Sequence, residues 1–424
     1  MNQLRRPRFL YLYIIRGLGA FLFSLAFSLD MIYFYETVKL DALQMVLVGT
    51  SLEVAVLLFE VPTGIIADLY GRKRSILIGY TLVGAGIFLS GAVPLFGVIL
   101  LAQLFWGMGA TFLSGATEAW LSEEIGEVQA NDAIIIGTRP EQIASILGIA
   151  AAALIMPHNR ALPMLIGGAA FWLLAVLLAF VMPEKGFKPQ RIENTHPLTQ
   201  MKDTFIAGLK MTQRRPALRQ ILLLAVFFAV YTEGFDRLWI PFAVDQYTFP
   251  HFSPEQWIGG AQIAAQFSAF LLLGVLHRKV NLQKMRVLVR FIIVMSFLLF
   301  VCLVLSIATP WLWLALPAYA GIMVIRELHD PFYRTWVNQK LEPSTRATVL
   351  SLSGQLDAVG QIIGGPLIGT TAKYASKRTG LIFSTLLLTP ALWIITRKKI
   401  RDDADQIHVD DGNDGNLVFP SQDR

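Results

Sequence analysis

The chain has 424 residues, of which 54% are hydrophobic and only 16% charged, where a soluble protein carries about a quarter charged. That balance excludes a soluble single domain and a disordered chain, and leaves a helical membrane protein with many spans. The lone Cys302 excludes an intrachain disulfide, and the net charge of +6 needs a location before it can be assigned a meaning.

A spanning helix needs roughly 20 mainly apolar residues. Twelve such runs follow one another, over residues 10–35, 42–67, 75–96, 98–121, 140–156, 162–182, 218–244, 256–276, 286–307, 311–332, 347–371 and 380–396. The fifth and twelfth are the short ones. The first follows Arg5, Arg6 and Arg8 as a signal peptide would. Its length, the want of a small-residue cleavage site and the spans behind it make it a retained helix. The expected fold is an all-α integral membrane protein with twelve transmembrane helices in two pseudo-symmetric six-helix bundles.

Lys and Arg collect in the even-numbered connections. Arg72, Lys73 and Arg74, then Lys185 to Arg215, then Arg278, Lys279 and Lys284, then Arg334 and Lys340 lie on one side, with Arg397, Lys398 and Lys399 after the last run. The other side holds only Lys39, Arg160, Lys373, Lys377 and Arg378. This asymmetry places both termini in the cytoplasm of a cell with a multi-pass cytoplasmic-membrane protein. The positive charge then belongs to the membrane surface, and no aromatic residues interleave with it as nucleic-acid stacking requires.

The organisation reads as a six-helix half over residues 1–183, a cytoplasmic linker over 184–216, a second half over 217–398 and an acidic tail over 399–424. The tail lacks the apolar content to fold alone. The halves share faint likenesses. Thr138-Arg139 opens the fifth run as Thr345-Arg346 opens the eleventh, and Thr117-Glu118-Ala119-Trp120-Leu121 matches Tyr333-Arg334-Thr335-Trp336-Val337 in place. They suggest a duplicated unit about an axis along the membrane normal.

After the second run the chain reads Gly64-Ile65-Ile66-Ala67-Asp68-Leu69-Tyr70-Gly71-Arg72-Lys73-Arg74. This resembles the signature of the major facilitator superfamily, Gly-x-x-x-Asp-x-x-Gly-Arg-Lys/Arg, in the position where that family has it. The resemblance covers residues 9–396. It implies a cytoplasmic gate formed by Gly64, Asp68, Gly71, Arg72 and Lys73 that latches the halves in the outward-open state. Physically, Gly64 would allow close helix approach, Asp68 would pair with Arg72 or meet a helix N-terminus of the other half, and Gly71 would supply the turn. Lys73 also suits a plain positive-inside anchor. Phe59 to Gly64 and Glu118 to Leu121 look like the drug–proton antiporter branch, with Gln103 where that branch has a membrane Arg.

Charges at bilayer depth are costly and need a partner or a wet cavity. Glu53 and Glu60 share a face of the second helix, Glu60 close to the gate. Glu233, Asp236 and Arg237 share a face of the seventh, with Asp30 in the first as a further partner. Arg326, Glu327 and Asp330 fall in the tenth, where Arg326 and Asp330 have pairing distance along the helix. Asp357 lies in the eleventh with Gln361 one turn on, Arg16 in the first, and Glu118 at the end of the fourth. Each suits a structural ion pair. Glu53, Glu233 and Asp357 equally suit proton coupling. Gln262, Gln266 and Gln361 are candidates for the cavity wall, and Gly84, Gly86, Gly107 and Gly109 for close helix packing.

The expected activity is proton-coupled efflux of a small amphipathic molecule or drug by alternating access. A proton-linked importer or exporter of a metabolite is the alternative, and a non-transporting receptor or sensor the rival of another class. An enzyme is not expected: there is no Gly-x-Ser-x-Gly, no phosphate loop and no metal-ligand spacing among the six His. No cofactor or metal is expected beyond the proton gradient as energy source. The expected partners are a small-molecule substrate and the lipid bilayer, with no nucleic acid and a monomer as the working unit.

Overall fold

The computed structural model describes residues 5–188, 216–279, 285–340 and 343–396. The greater part of the expected linker and the whole acidic tail lie outside them, as do the side chains of Arg278, Asp330, Thr345 and Arg346.

Among the described residues twelve helices follow in order: α1 Pro7–Glu36, α2 Ala42–Tyr70, α3 Arg72–Ala92, α4 Phe96–Ile125, α5 Glu127–Ile155, α6 Leu162–Val181, α7 Pro216–Gln246, α8 Pro254–Lys279, α9 Met285–Ala308, α10 Leu312–Lys340, α11 Pro343–Tyr374 and α12 Lys377–Thr396. Over the described residues, eight of them are long and apolar enough to cross a bilayer. The four that fall short, α5, α7, α10 and α11, carry Glu141, the Glu233–Asp236–Arg237 group, Arg326 with Glu327, and Asp357. Each of these four brings charged side chains to the cavity wall or to a buried ion pair. Among the described residues there is no strand.

Local chemistry sets the ends. Asp41 accepts from the Gln44 amide at 2.9 Å while the Gln44 side chain accepts from the Asp41 amide at 3.0 Å, a capping box that starts α2. Gly71 ends α2 with φ +112°, a conformation that disfavours any side chain, and α3 begins at the next residue. Three helices are interrupted, α12 only by a turn at Leu388. α1 contains a π-helical stretch over Leu10–Leu18 and interrupts at Ser28 and Leu29, and α4 interrupts at Ser114 and Gly115 (φ +68°). The Gln262 amide donates to the Ser28 carbonyl at the first break (2.9 Å), so α8 supports it.

The fifth expected run began too late. α5 extends back to Glu127 and carries Pro140 inside it, so the charged residues before Pro140 continue the helix instead of forming a loop. Glycines provide the close approaches. A β-carbon on Gly84 would lie 2.8 Å from the Gly168 carbonyl, one on Gly107 2.8 Å from the Leu52 carbonyl, and one on Gly109 2.8 Å from the Gly79 carbonyl. Gly86 likewise faces the Trp106 amide at 2.8 Å. The packing expectation for these four holds.

At Gly64, nothing among the described residues lies within 4 Å of the β-carbon position, so no described neighbour uses the missing side chain in this conformation.

Candidate functional site

A cavity of about 1800 Å³ opens between the first six helices and the last six. Its wall takes Arg16 from α1, Arg139 and Glu141 from α5, Tyr231 from α7, Gln266 from α8, Arg326, Glu327 and Arg334 from α10, and Asp357 from α11. Gly274, near the end of α8, and Gly354, near the start of α11, place the mouth of the cavity at the face that also holds Gly71. This is the face with the basic connections.

The opposite face is closed, and the closing contacts join the first six helices to the last six. Tyr35 donates to Asp245 at 2.7 Å, Lys377 pairs with Asp245, and the Lys377 ammonium lies 3.7 Å from the centre of the Tyr35 ring. Asp41 pairs with Lys373 at 3.0 Å. Arg160 pairs with Glu255 at 2.8 Å, where Glu255 is 1% exposed. Below these ties, small residues seal the seam. β-Carbons on Gly365 and Gly369 would meet Thr50 and Val46 at 2.9 to 3.1 Å, and one on Gly259 would meet Ala153 at 2.8 Å. Burial pushes the Asp41 carboxyl up, but the Gln44 amide and Lys373 outweigh it and hold it below its ordinary value.

A buried charge group lies under this seam. Glu233 pairs with Arg237 one turn on at 3.4 Å, with the two side chains 2% and 14% exposed. Both press on α2 at Gly49, where a β-carbon would lie 2.8 Å from Arg237 Nη2. Asp30, buried where α1 resumes, and Glu53 of α2 act on the same guanidinium electrostatically. The expected common face of Glu233, Asp236 and Arg237 therefore divides. Asp236 turns to α10, and Arg326 grips it with two hydrogen bonds of 2.5 and 3.0 Å. Arg326 thus has a partner on another helix, and the side chain of Asp330, the partner expected on its own helix, lies outside the described residues.

The other expected residues separate as well. Asp357 stands on the cavity wall and accepts from Gln361 at 2.9 Å. Gln266 lines the cavity as expected. Gln262 and Gln361 do not line it. The Gln262 Nε2 donates to the Ser28 carbonyl and to the Tyr319 hydroxyl at 3.0 Å, its buried Oε1 has no partner among the described residues, and Gln361 donates to Asp357. Glu327 is on the wall and Glu60 accepts from Ser114 at the α4 break, 3.0 Å away.

At the basic face, the signature residues bond within the first six helices. Arg72 pairs with Asp68 at 2.5 Å and with Glu123 of α4 at 3.1 Å. The Lys73 amide donates to Glu184 at 2.8 Å, and its ammonium caps the Ala179 and Met182 carbonyls at 2.8 and 2.7 Å, satisfying the C-terminus of α6. Lys73 is therefore bound within its own half.

One pair escaped the sequence reading. Arg16 of α1 pairs with Glu141 of α5, both about one-third exposed to the cavity. Glu141 lay at the very start of the expected fifth run, and the signal for it was the need of Arg16 for an acid that the adjacent turns of its own helix do not supply.

Residues 9–365 match the family profile of the Major Facilitator Superfamily. Over 406 residues the chain is 24% identical to the uncharacterized MFS-type transporter YxaM of Bacillus subtilis (strain 168), covering 93% of this chain and 96% of that one. Among solved structures it resembles the nucleoside transporter NupG, with TM-score 0.72 and 17% identity over 94% of this chain and 100% of that one. It also resembles a bacterial homolog of the human lysosomal transporter Spinster in an inward-facing, unoccupied conformation, with TM-score 0.72 and 14% identity over 98% of this chain and 100% of that one.

Proposed function

The chain belongs to the Major Facilitator Superfamily, and from that premise we propose that it is a proton-coupled secondary transporter working by alternating access, seen here open to the cytoplasm. The observation that carries this reading is the cavity, closed at one face by contacts across the two sets of helices and open at the other. The Lys and Arg asymmetry supports assigning the open, basic face to the cytoplasm and the closed face to the outside of the cell membrane. In this state Asp68, Arg72 and Lys73 are satisfied within their own half. Closure of the basic face would bring them to the other half, while the Tyr35–Asp245–Lys377 and Asp41–Lys373 ties part.

Proton coupling needs an acid that meets water on one side and then loses it. Asp357 is the leading candidate because it stands on the cavity wall. Glu233 has Arg237 as a local cation, so its ionised form is partnered, and Glu53 shares that cation's field.

The substrate is a small amphipathic molecule, and export is the first reading, supported by Phe228, Phe270 and Leu271 on the cavity wall. Transport of a polar metabolite is the second, supported by Arg139, Arg326, Arg334 and Asp357 on the same wall. The test is reconstitution into vesicles with an imposed pH gradient, together with paired cysteines at Asp41 and Lys373. Crosslinking that pair should arrest accumulation. Full transport by the crosslinked protein would overturn the alternating-access assignment of the closed face.

A further inference from the structure

A second chamber of about 440 Å³ opens among α1, α3, α4, α5 and α6, inside the first six helices. Arg16, Glu141 and Ser145 line both it and the central cavity, so they stand where the two spaces meet. Its walls are aromatic. Trp106 stacks on Phe27 with centroids 3.9 Å apart, Tyr80 stacks on Phe171 at 5.8 Å, and Phe23 stands 6.0 Å from Trp106.

Its polar groups are few and unevenly used. Arg16 and Glu141 cancel within their pair. The Arg16 Nε and the Tyr11 hydroxyl are buried and have no hydrogen-bond partner among the described residues. Two buried donors left so are costly unless an acceptor arrives. Glu118 is on the wall in the first turn after the α4 break, is exposed, and makes no ion pair among the described residues. Arg16, Glu118 and Glu141 all act electrostatically on the Tyr11 hydroxyl, which puts these groups in one neighbourhood. With the Arg16–Glu141 pair neutral, Glu118 leaves the chamber one negative charge in excess.

We infer that this chamber binds a flat aromatic monocation that also carries a neutral carbonyl. The ring lies among Trp106, Tyr80, Phe171 and Phe23, the carbonyl accepts from Arg16 and Tyr11, and the cation faces Glu118. Such a ligand balances the surplus charge and supplies the missing acceptor, and π faces favour a cation beside them. A carboxylate in place of the carbonyl would add a negative charge to a wall that already has a surplus. The identification of this ligand as cargo rests on the transporter reading; the binding site itself does not.

The test uses the purified full-length chain in lipid discs and four related probes: tryptophanamide, tryptamine, N-acetyltryptophanamide and tryptophan. Equilibrium binding of the labelled compounds should rank tryptophanamide first, with weaker binding on loss of the carbonyl, loss of the cation or gain of the carboxylate. Glu118→Gln should weaken tryptophanamide about fivefold and leave N-acetyltryptophanamide unchanged. Ala110→Phe should fill the chamber and abolish saturable binding. Because Glu118 is exposed, its variant tests the proposal even where the Ala110 variant fails to fold. No saturable binding by any probe, or equal binding of tryptophanamide and tryptophan, overturns the proposal. Vesicle accumulation separates the two readings. Binding that depends on Glu118 without gradient-driven uptake keeps the site and removes the transport of this ligand, while uptake indifferent to Glu118 and Ala110→Phe removes the site.

Discussion

Gly49 of α2 leaves the space that Arg237 of α7 occupies: a β-carbon at Gly49 would lie 2.8 Å from the Arg237 Nη2. A charged pair on one half is thus received by a bare stretch of helix on the other, under the closed face.

Gly49→Ala should therefore open that face, although alanine in place of a helical glycine normally stabilises by up to about 1 kcal/mol. The methyl must displace Glu233 or Arg237. Labelling of a cysteine placed at Thr50 from the closed side should rise, and accumulation should fall. Unchanged labelling would show that the pair adjusts without parting the halves.

Arg237→Ala should be more damaging than Glu233→Gln. The first leaves Glu233, which is 2% exposed, without its cation, at a cost of about 3 kcal/mol or more. The second leaves Arg237 with Asp30 and Glu53. Thermal unfolding in detergent should separate the two variants, with the larger loss in Arg237→Ala.

Asp357→Asn should abolish uptake driven by a pH gradient while retaining substrate exchange at equilibrium. Glu53→Gln should affect expression or rate before it affects coupling. Gradient-driven accumulation by Asp357→Asn, with ordinary pH dependence, would remove Asp357 from the coupling role.

At the basic face, Asp68→Asn and Glu123→Gln should each reduce transport with expression preserved, since Arg72 holds both carboxylates. The double variant should add little to the worse of the two if they act through one guanidinium. Wild-type rates in both single variants would exclude the gate role.

The Asp41–Lys373 tie carries a sign that can be checked. Asp41 is held below the ordinary carboxylate value, so its contribution to closure is complete above that value and is lost as pH falls through the depressed one. Cysteine labelling on the closed face should stay constant from about pH 8 to pH 5 and rise only on stronger acidification. A rise between pH 7 and 6 would assign the titration to another group.

Much of this was legible in the sequence because it is local. Apolar runs announce α-helices at bilayer length, and the Gly64 to Arg74 segment carries its own turn at Gly71 and its own pair at Asp68 and Arg72. The Asp357–Gln361 bond is equally local, one helical turn long. What escaped was the choice among partners on different helices. Asp236 has Arg237 beside it in the chain and pairs with Arg326 on α10. Arg16 finds Glu141 on α5. Gly49 gave no warning at all, since its importance lies in what α7 presents to it.

The depth of the cavity has an electrical consequence. Water that reaches inward from the open face carries that side's potential with it, so the membrane voltage falls mainly across the thin sealed seam. Asp30, Glu233 and Arg237 lie beneath that seam. Moving one elementary charge through the full drop is worth about 2.3 kcal/mol per 100 mV, and here that drop is compressed into a short distance. Any displacement of these groups as the halves part is then work done with or against the membrane field, and the rate of opening acquires a dependence on voltage even for an uncharged cargo.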